Sequence, residues 1–291
     1  MLRHERFVAE THLDDVIAFL RAANPFAQQT CGWDLGRFLD WRWGGSGAHA
    51  ESWFAENCMV FRDDAGLRAV WLREDDRDPT TYIITGREDP EAVRAVVDVV
   101  TGPDRFEVLS GAHWFGTVLA ESGYESEPGH GQEWEYDPTL ASLPALPPGY
   151  RFASGADGLD VESLSACIVR AFGRSGSLVS LLERLATNPF HDPELAVAVL
   201  APDGTVAAYC QGTVDPGNGV GGIDPVVTHP DHQRRGLGKA VVSACLVRQT
   251  EKGGRMVFIG SAKEPAPETN LYRSLGPRWT DTTVVWTPPA S

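Results

Sequence analysis

The sequence predicts an α/β protein of the α+β kind with two successive domains, each a mixed, mostly antiparallel twisted sheet flanked by helices. Three observations lead to this prediction. One order of elements (a strand, two helices, a hairpin, then strands alternating with helices) occurs twice along the chain. A proline-rich connection separates the two copies. The length of 291 residues is enough for two domains of ordinary size.

The first copy alternates between helical and extended patterns of apolar residues. Leu13, Val16 and Leu20 recur on one helical face, and Asp89-Pro90 has the form of a helix start. The predicted helices cover residues 11–22, 35–43, 91–100 and 113–122. The predicted strands cover residues 7–10, 53–62, 67–72, 80–85, 106–109 and 132–136.

The connection between the copies contains four prolines in residues 137–149 and marks a natural boundary. We therefore expect a first domain at 1–140, a linker at 141–149 and a second domain at 150–291. The predicted strands of the second domain cover residues 150–153, 195–200, 205–213, 226–228, 256–260 and 282–286. Its predicted helices cover residues 159–172, 177–186, 240–252 and 268–274.

The most informative stretch runs from Val226 to Lys239. Its apolar, β-like start ends at a proline-marked loop, which opens into a helical pattern with Gly236 and Gly238 at the junction. The first N–H groups of a helix have no intrahelical partner, and the helix dipole adds positive potential there. Glycines let the backbone approach a ligand, and Arg234, Arg235 and Lys239 add cationic side chains. The stretch therefore predicts an anion-binding site.

Two other phosphate-binding motifs are excluded by their spacing. A Walker loop needs Gly-x-x-x-x-Gly-Lys-Ser/Thr, which is absent from this stretch. A dinucleotide-binding fingerprint needs a third glycine in Gly-x-Gly-x-x-Gly, and position 241 is valine.

Residues 233–238, Gln-Arg-Arg-Gly-Leu-Gly, resemble the acyl-CoA pyrophosphate loop of the GNAT family of N-acetyltransferases, whose signature is Gln/Arg-x-x-Gly-x-Gly/Ala. The resemblance covers about residues 195–286 and is one of element order before them. It implies acetyl-CoA as co-substrate. It also implies that the two central strands of the second domain splay apart, so that the strand before the loop can hydrogen-bond to the amides of pantetheine. The implied cofactor-binding residues are Val226, Val227, Thr228, Gln233, Arg234, Arg235, Gly236, Leu237, Gly238, Lys239 and Asn270.

The resemblance also implies the groups that carry the chemistry. The family often has Leu-Tyr-x-x-x-Gly-Phe on its last helix, with the tyrosine hydroxyl near the sulfur, which makes Tyr272 the candidate general acid. The family's asparagine, commonly seven positions earlier, is replaced by Pro265, and Asn270 is a nearby polar substitute. A carboxylate on the central strand is a frequent family base. Asp224 is that candidate, although before Pro225 it could instead shape a bulge.

The first copy departs from this pattern where the loop would lie. Residues 86–90 read Gly-Arg-Glu-Asp-Pro, with two acids at a helix start and no second glycine. Carboxylates at a helix start repel a pyrophosphate. The chain therefore resembles tandem GNAT proteins with a degenerate first domain that lacks the pyrophosphate loop.

The charge distribution bears on partners and location. The first 145 residues hold 12 Lys and Arg against 26 Asp and Glu, a net charge of −14, and the remainder has a net charge of −1. No basic domain exists, which disfavours nucleic acid, and the acidic half suits a cationic amine, although acidity also serves solubility. Scattered cysteines and the lack of a signal peptide or apolar span favour a cytoplasmic protein away from membranes, as a monomer or homodimer.

Together these features predict an acyltransferase of the GNAT N-acetyltransferase class that acetylates a primary amine of a small, cationic acceptor. The resemblance implies direct transfer, in a ternary complex with acetyl-CoA. The alternative is a non-catalytic acyl-CoA-binding sensor or scaffold. No metal is predicted, because the pair His229-x-x-His232 lies within the loop consensus and lacks a third ligand nearby.

Overall fold

The computed structural model describes residues 2–44, 51–74, 79–100, 104–262, 266 and 268–289. The chain divides into two compact units, one made of Met1–Glu133 and Asp281–Ser291 and the other of Trp134–Thr280. We refer to them as unit 1 and unit 2. In the described residues no helix is long and apolar enough to cross a membrane.

Unit 1 begins with a short strand and four helices. Its elements up to residue 121 are β1 (Arg3–Arg6), α1 (Ala9–Ala23), α2 (Gln28–Cys31), α3 (Leu35–Gly44), α4 (Glu51–Asn57), β2 (Cys58–Asp63), β3 (Gly66–Arg73), β4 (Thr80–Thr85), α5 (Pro90–Val99), β5 (Arg105–Leu109) and α6 (His113–Glu121). β6 (Glu125–Tyr136) follows, and its residues up to Glu133 belong to this unit.

Unit 2 holds the end of β6 and the following elements. They are β7 (Arg151–Ser154), α7 (Val161–Ala171), α8 (Val179–Leu185), β8 (Ala196–Leu200), β9 (Val206–Asp215), β10 (Val220–Thr228), α9 (Leu237–Glu251), β11 (Met256–Ala262) and α10 (Thr269–Arg273). β12 (Trp279–Thr287) is the last strand, and from Asp281 onward it belongs to unit 1.

The sheet of unit 1 has the strand order β1-β2-β3-β4-β5-β12-β6. β4 and β5 pair in parallel, whereas β1–β2, β2–β3, β3–β4 and β5–β12 pair antiparallel. The core beneath α5 and α6 includes Phe61, Trp71, Phe106 and Phe115. A parallel pair joined through a helix needs a crossover connection, and α5 supplies it between β4 and β5.

The sheet of unit 2 has the strand order β6-β11-β10-β9-β8-β7. β10 and β11 are parallel and are joined through α9, while the pairs β7–β8, β8–β9 and β9–β10 are antiparallel. Nine of the 15 residues of α9 are buried, so this helix lies in the core rather than on the surface. Trp134 and Tyr136 from β6 pack in the same core as Tyr272. The predicted fold class is thereby confirmed.

The structure differs from the prediction in the last strand. Residues of β12 pair with β5 in unit 1, from Thr283–Leu109 to Trp286–Phe106, instead of closing the domain predicted at 150–291. The predicted linker at 141–149 lies within unit 2, whose first residue is Trp134. The residue pattern of a strand specifies which side chains lie on each face of the sheet, but not which strand it pairs with. The sequence could therefore not reveal that β12 pairs with β5.

Two predicted strands in unit 1 are also wrong at their bounds. The strand predicted at 7–10 is β1 at Arg3–Arg6, because α1 already begins at Ala9. Residues 53–57 belong to α4, and strand β2 begins at Cys58. Periodicity alone does not separate a short helix from a short strand, which explains both errors.

Candidate active site

The site begins where β10 leaves its parallel neighbour. β10 pairs with β11 from Val220–Met256 to Gly222–Phe258. Farther along, β10 pairs with β9 from Val226–Cys210 to Thr228–Ala208, after a register shift between Ile223 and Val226. We call the gap between residues 223–228 of β10 and residues 259–262 of β11 the β10–β11 opening. It is the splayed strand pair that the family resemblance implies.

The direction of the backbone groups in β10 follows from its pairing with β9. The His229 N–H donates to Ala207 O at 2.9 Å. Hydrogen-bonded and non-hydrogen-bonded pairs alternate in an antiparallel ladder, so Val227, two residues earlier, also belongs to a hydrogen-bonded pair. The N–H groups of Val226 and Thr228 therefore point to the other side, into the β10–β11 opening.

The loop after β10 ends in an unusual backbone turn. Arg234 has a φ of 62° and Gly236 a φ of 79°, and Gly236 is the residue before the first turn of α9. Among the residues that the structure describes, no side chain caps this helix start. Leu237 is buried and anchors the turn in the core. The first N–H groups of a 15-residue helix are thus presented without a side-chain acceptor, as an anion site requires.

Gly238 brings the helix start against the end of β10. A Cβ added at Gly238 would lie 3.2 Å from Thr228 Oγ1, closer than an ordinary contact. The Gln233 side chain donates to Thr228 O at 3.2 Å and ties the loop to the same strand end. The anion-binding turn and the β10–β11 opening are therefore adjacent.

Two of the three predicted cations already have partners within the chain. Arg235 donates to the Tyr150 hydroxyl at 3.1 Å and to Asp231 O at 3.2 Å. Lys239 donates to Ser274 O at 3.0 Å, which joins α9 to the end of α10. Arg234 is exposed beside them. The Tyr150 hydroxyl also contacts His232 Nδ1 at 2.9 Å.

Tyr272 is held firmly within the core of unit 2. Its carbonyl accepts a hydrogen bond from the Tyr136 hydroxyl at 3.0 Å, and its ring centroid lies 6.2 Å from that of Trp134. Burial raises the pKa of the Tyr272 phenol well above its ordinary value, and the carboxylates of Glu268 and Asp224 raise that pKa further. The hydroxyl thus keeps its proton throughout the physiological range.

Asp224 lies at the register shift of β10 and is exposed to solvent. Because its charge acts on Tyr272, the structure brings the two predicted catalytic residues into one neighbourhood. Asn270 is exposed on α10, and Pro265 lies outside the described residues. In the part of the chain that the structure describes, no group of three or more His, Cys, Asp or Glu side chains could hold a metal ion.

Two residues of this region were not predicted from the sequence. Tyr150 contacts both His232 and Arg235, yet nothing in its sequence neighbourhood links it to a loop about 80 residues away. Gln249 lies inside an apolar helical pattern and is completely buried. A polar residue at a core position is the sequence feature that could have drawn attention to it.

In unit 1, the start of helix α5 is capped by the carboxylate of Asp89. Asp89 accepts from the Ala92 N–H at 3.1 Å and caps α5. Arg68 binds both oxygens of Asp89, at 2.6 and 2.8 Å, and also Asp63 and Glu91. Burial opposes ionisation of Asp89, but the hydrogen bonds from Arg68 and Ala92 outweigh it and lower the pKa. An internal carboxylate thus caps the start of α5.

Comparison with known families agrees with this geometry. Residues 168–276, which include the β10–β11 opening, the loop, α9 and Tyr272, match the model of the Acetyltransferase (GNAT) family. This region is a GNAT-family domain.

The GNAT domain has a curated relative and solved structural neighbours. A mycothiol acetyltransferase from Arthrobacter sp. (strain FB24) is 31% identical over 160 residues, which cover 51% of this chain and 49% of the relative. The match thus spans about half the length of each protein.

Solved structures show that the fold extends over the whole chain. A tandem GNAT protein from the clavulanic acid biosynthesis pathway superposes with a TM-score of 0.63 at 15% identity and full coverage of both chains. A GCN5-related N-acetyltransferase from Sphaerobacter thermophilus gives 0.60 at 15% identity, covering 100% of this chain and 97% of the other. The fold of the whole chain is therefore similar to the folds of these two proteins.

Proposed function

We propose that this chain is an N-acetyltransferase that transfers an acetyl group from acetyl-CoA to a primary amine of a small acceptor. One observation carries the proposal. The start of α9, which has no side-chain cap among the described residues, adjoins the opening between β10 and β11, and Asp224, on β10 at that opening, acts on Tyr272 through its charge. An anion site next to a strand with unused backbone groups suits a long molecule with a phosphate end and an amide-bearing arm.

The chain's residues fit the two ends of acetyl-CoA. The pyrophosphate would bind the N–H groups at the start of α9, where a Cβ added at Gly236 meets no atom within 4 Å. The exposed Arg234 would add charge, and Arg235 and Lys239 hold the loop in place through Tyr150 and Ser274. The pantetheine arm would pair with the backbone groups of Val226 and Thr228 that face the β10–β11 opening.

Acetyl-CoA supplies an acetyl group activated as a thioester. The Val226 N–H, preorganised by the β9 ladder, would stabilise the negative charge that develops on the thioester oxygen as the amine nitrogen attacks the carbonyl carbon. In the overall change a carbon–nitrogen bond forms, the carbon–sulfur bond breaks, and the amine nitrogen loses a proton.

Two side chains would move the protons. The Tyr272 hydroxyl, which stays protonated because of its burial, would give its proton to the departing sulfur. Asp224, exposed at the β10 register shift, would accept the proton of the incoming ammonium directly or through water. Asp224 would then release its proton to solvent, and the second proton, which the nitrogen loses as the amide forms, would return to Tyr272 directly or through water, so the site regains its starting state.

The acceptor is proposed only by class. The acidic first 145 residues would favour a cationic amine by long-range attraction. The curated relative is by its name a mycothiol acetyltransferase. We extend acetyl transfer, and not that acceptor, to this chain, because the similarity spans about half of each protein.

Unit 1 is proposed to be a GNAT-like domain without cofactor. The Asp89 carboxylate and Arg68 already satisfy the start of α5. Binding of a pyrophosphate would have to displace this ion pair and would bring phosphate charge next to Glu91. Acetyl-CoA should therefore bind in unit 2 alone.

The proposal is tested by incubating the protein with acetyl-CoA and a panel of primary amines while following the release of free thiol. Amine-dependent thiol release, with formation of the acetylated amine, is expected from at least one cationic acceptor. Tight binding of acetyl-CoA with no release from any amine would instead support a non-catalytic acyl-CoA sensor or scaffold.

A further inference from the structure

Gln249 on α9 makes an unusual pair of hydrogen bonds. Its side chain is completely buried, 12 residues after the start of the helix at Leu237. The Gln249 Nε2 donates to Thr213 O at 2.8 Å and to Gly222 O at 2.9 Å. One side-chain amide thus holds a carbonyl from each of two neighbouring strands, β9 and β10.

These two carbonyls lie at the point where β10 parts from β11. Thr213 and Gly222 are partners in the β9–β10 register, and Gly222 also forms the last parallel pair with Phe258 on β11. The register shift of β10 begins with the next residue, Ile223. In a regular ladder, carbonyls point to adjacent strands, not to a covering helix. Gln249 therefore bonds to the sheet where its ladder changes.

The surrounding residues leave room for this amide. A Cβ added at Gly221 would lie 3.0 Å from Gln249 Nε2 and would collide with Thr213 O. A Cβ added at Gly212 would lie 3.3 Å from the same nitrogen and would collide with Cys245 Sγ. Two glycines thus keep side chains out of the space that the Gln249 amide occupies.

Glutamine is not the side chain that would give the folded protein the greatest stability at this position. The Gln249 Oε1 is among the buried side-chain atoms that have no hydrogen-bond partner in the described residues. A buried, unsatisfied amide oxygen costs stability, whereas an apolar side chain of similar length would fill the space without that cost. A demand other than packing therefore accounts for glutamine here.

We propose that Gln249 is a positioning residue that fixes where β10 parts from β11, and so places the Val226 N–H in the β10–β11 opening. It does so through two backbone carbonyls and does not touch acetyl-CoA. The inference rests on the proposed function, since only a bound pantetheine arm makes the width of the opening important. This role differs from that of the loop after β10, which would bind the phosphates.

The test compares two ligands that use different parts of the site. Acetyl-CoA would use both the loop and the opening, whereas ADP carries a pyrophosphate and no pantetheine arm. In Gln249→Met, which keeps the size but loses both hydrogen bonds, the Kd for acetyl-CoA should rise about tenfold or more. The Kd for ADP should stay within about twofold. Titration calorimetry on the full chain measures both values.

Leu246→Ala is the matched control. Leu246 is buried on the same helix and in the same core, but the structure gives it no bond to the carbonyls of Thr213 or Gly222. It should lower the melting temperature while both dissociation constants change in equal proportion. Equal losses for both ligands in Gln249→Met, or no loss at all, would overturn the positioning role.

Two further measurements keep the inference testable. If Gln249→Met does not fold, Gln249→Glu is the second variant, because glutamate has the same shape as glutamine. Burial keeps this acid protonated, so it retains one hydrogen-bond donor. The affinity for acetyl-CoA should then fall less than in Gln249→Met, while the affinity for ADP should again be unchanged. Hydrogen exchange without ligand separates the two proposals. Gln249→Met should speed exchange at residues 223–228 even if the wild-type protein binds no acetyl-CoA. Unchanged exchange there would count against Gln249, and absent binding in the wild type against the proposed function.

Discussion

Tyr272 illustrates how residue surroundings define a role. The tyrosine is almost completely buried, at 5% exposure, and its backbone is fixed by Tyr136. Burial and two nearby carboxylates favour the protonated phenol. A tyrosine that is protonated in the resting site is available as a general acid rather than as a base.

Tyr272→Phe should lower turnover by about 10²–10⁴-fold, the usual contribution of a general acid, with little change in the Kd for acetyl-CoA. The ring and its packing against Trp134 are retained, so only the proton donor is lost. Steady-state turnover and calorimetry give the two values.

Tyr209→Phe is the control, because Tyr209 is also buried in unit 2 and its hydroxyl bonds to Gln211 at 2.8 Å. Its turnover should stay close to that of the wild type. Unchanged turnover in Tyr272→Phe would make Tyr272 a structural residue.

At this scale the sequence predicted residues whose chemistry lies in a local motif. Tyr272 and Asp224 are close to recognisable stretches, and the structure brings them together. Gln249 could not be predicted, because its partners are backbone carbonyls at positions 213 and 222, far away in the chain. No residue pattern encodes a bond to a backbone carbonyl of a distant strand.

At the scale of elements, β6 carries a buried acid into unit 1. Glu133 accepts from Gln28 on α2 at 3.3 Å. Burial raises the pKa of Glu133 from 4.5 to about 8, partly offset by Arg37 and Gln28. The folded chain therefore binds a proton here that the unfolded chain releases above pH 4.5. This contribution to stability is complete below that pH and is lost as the pH rises through about 8.

Glu133→Gln should remove this pH dependence, because the amide is neutral and can bond to Gln28 at every pH. Between about pH 5 and 8 the free energy of unfolding of the wild type should fall, relative to the variant, with a slope approaching about 1.4 kcal/mol per pH unit. Denaturant unfolding across this range measures the slope.

Glu125→Gln on the same strand is exposed and controls for the loss of one carboxylate. It should leave the pH dependence as in the wild type. Parallel curves for wild type and Glu133→Gln would show that Glu133 is ionised in the folded protein.

Helices and strands were predicted well where the spacing of apolar residues agrees with the positions of proline and glycine. The strand–loop–helix of β10 and α9 follows from an apolar run, a proline and two glycines. Helix α4 was missed since its residues 53–57 continue into the apolar pattern of β2. The pairing of β12 with β5 depends on contacts that no local pattern contains.

At the scale of the molecule, the pairing of β12 also changes how the chain can be divided. Residues 281–291 belong to unit 1 although they follow unit 2 in sequence. A cut between the two predicted domains would remove β12 from the sheet in which it pairs with β5. Assignments of function to either unit are therefore best tested by point substitutions in the full chain.

The uneven charge leads to a prediction for the whole molecule. The first 145 residues carry a net charge of −14, and attraction between exposed charges is screened over about 8–10 Å at physiological ionic strength. The kcat/KM for the best cationic amine should therefore fall as salt is raised. A neutral or anionic acceptor under the same conditions is the comparison. A flat series, or an anionic best acceptor, would leave the acidity as a solubility feature.

The central claim is that acetyl-CoA binds at the start of α9, and a matched pair of glycines tests it. Gly236 precedes α9 with a φ of 79°, and Gly253 follows it with a φ of 90°. A Cβ added at either meets no atom within 4 Å, so a substitution brings similar backbone strain to both. Only Gly236 lies where the pyrophosphate would bind.

The deciding measurement is the Kd of acetyl-CoA for the full-length wild type, Gly236→Glu and Gly253→Glu by titration calorimetry. In Gly236→Glu a carboxylate would occupy the anion site, and the affinity should fall about 100-fold or more, whereas Gly253→Glu should stay within about threefold of the wild type. Tight binding that survives in Gly236→Glu, or a wild type that does not bind acetyl-CoA, would contradict the claim.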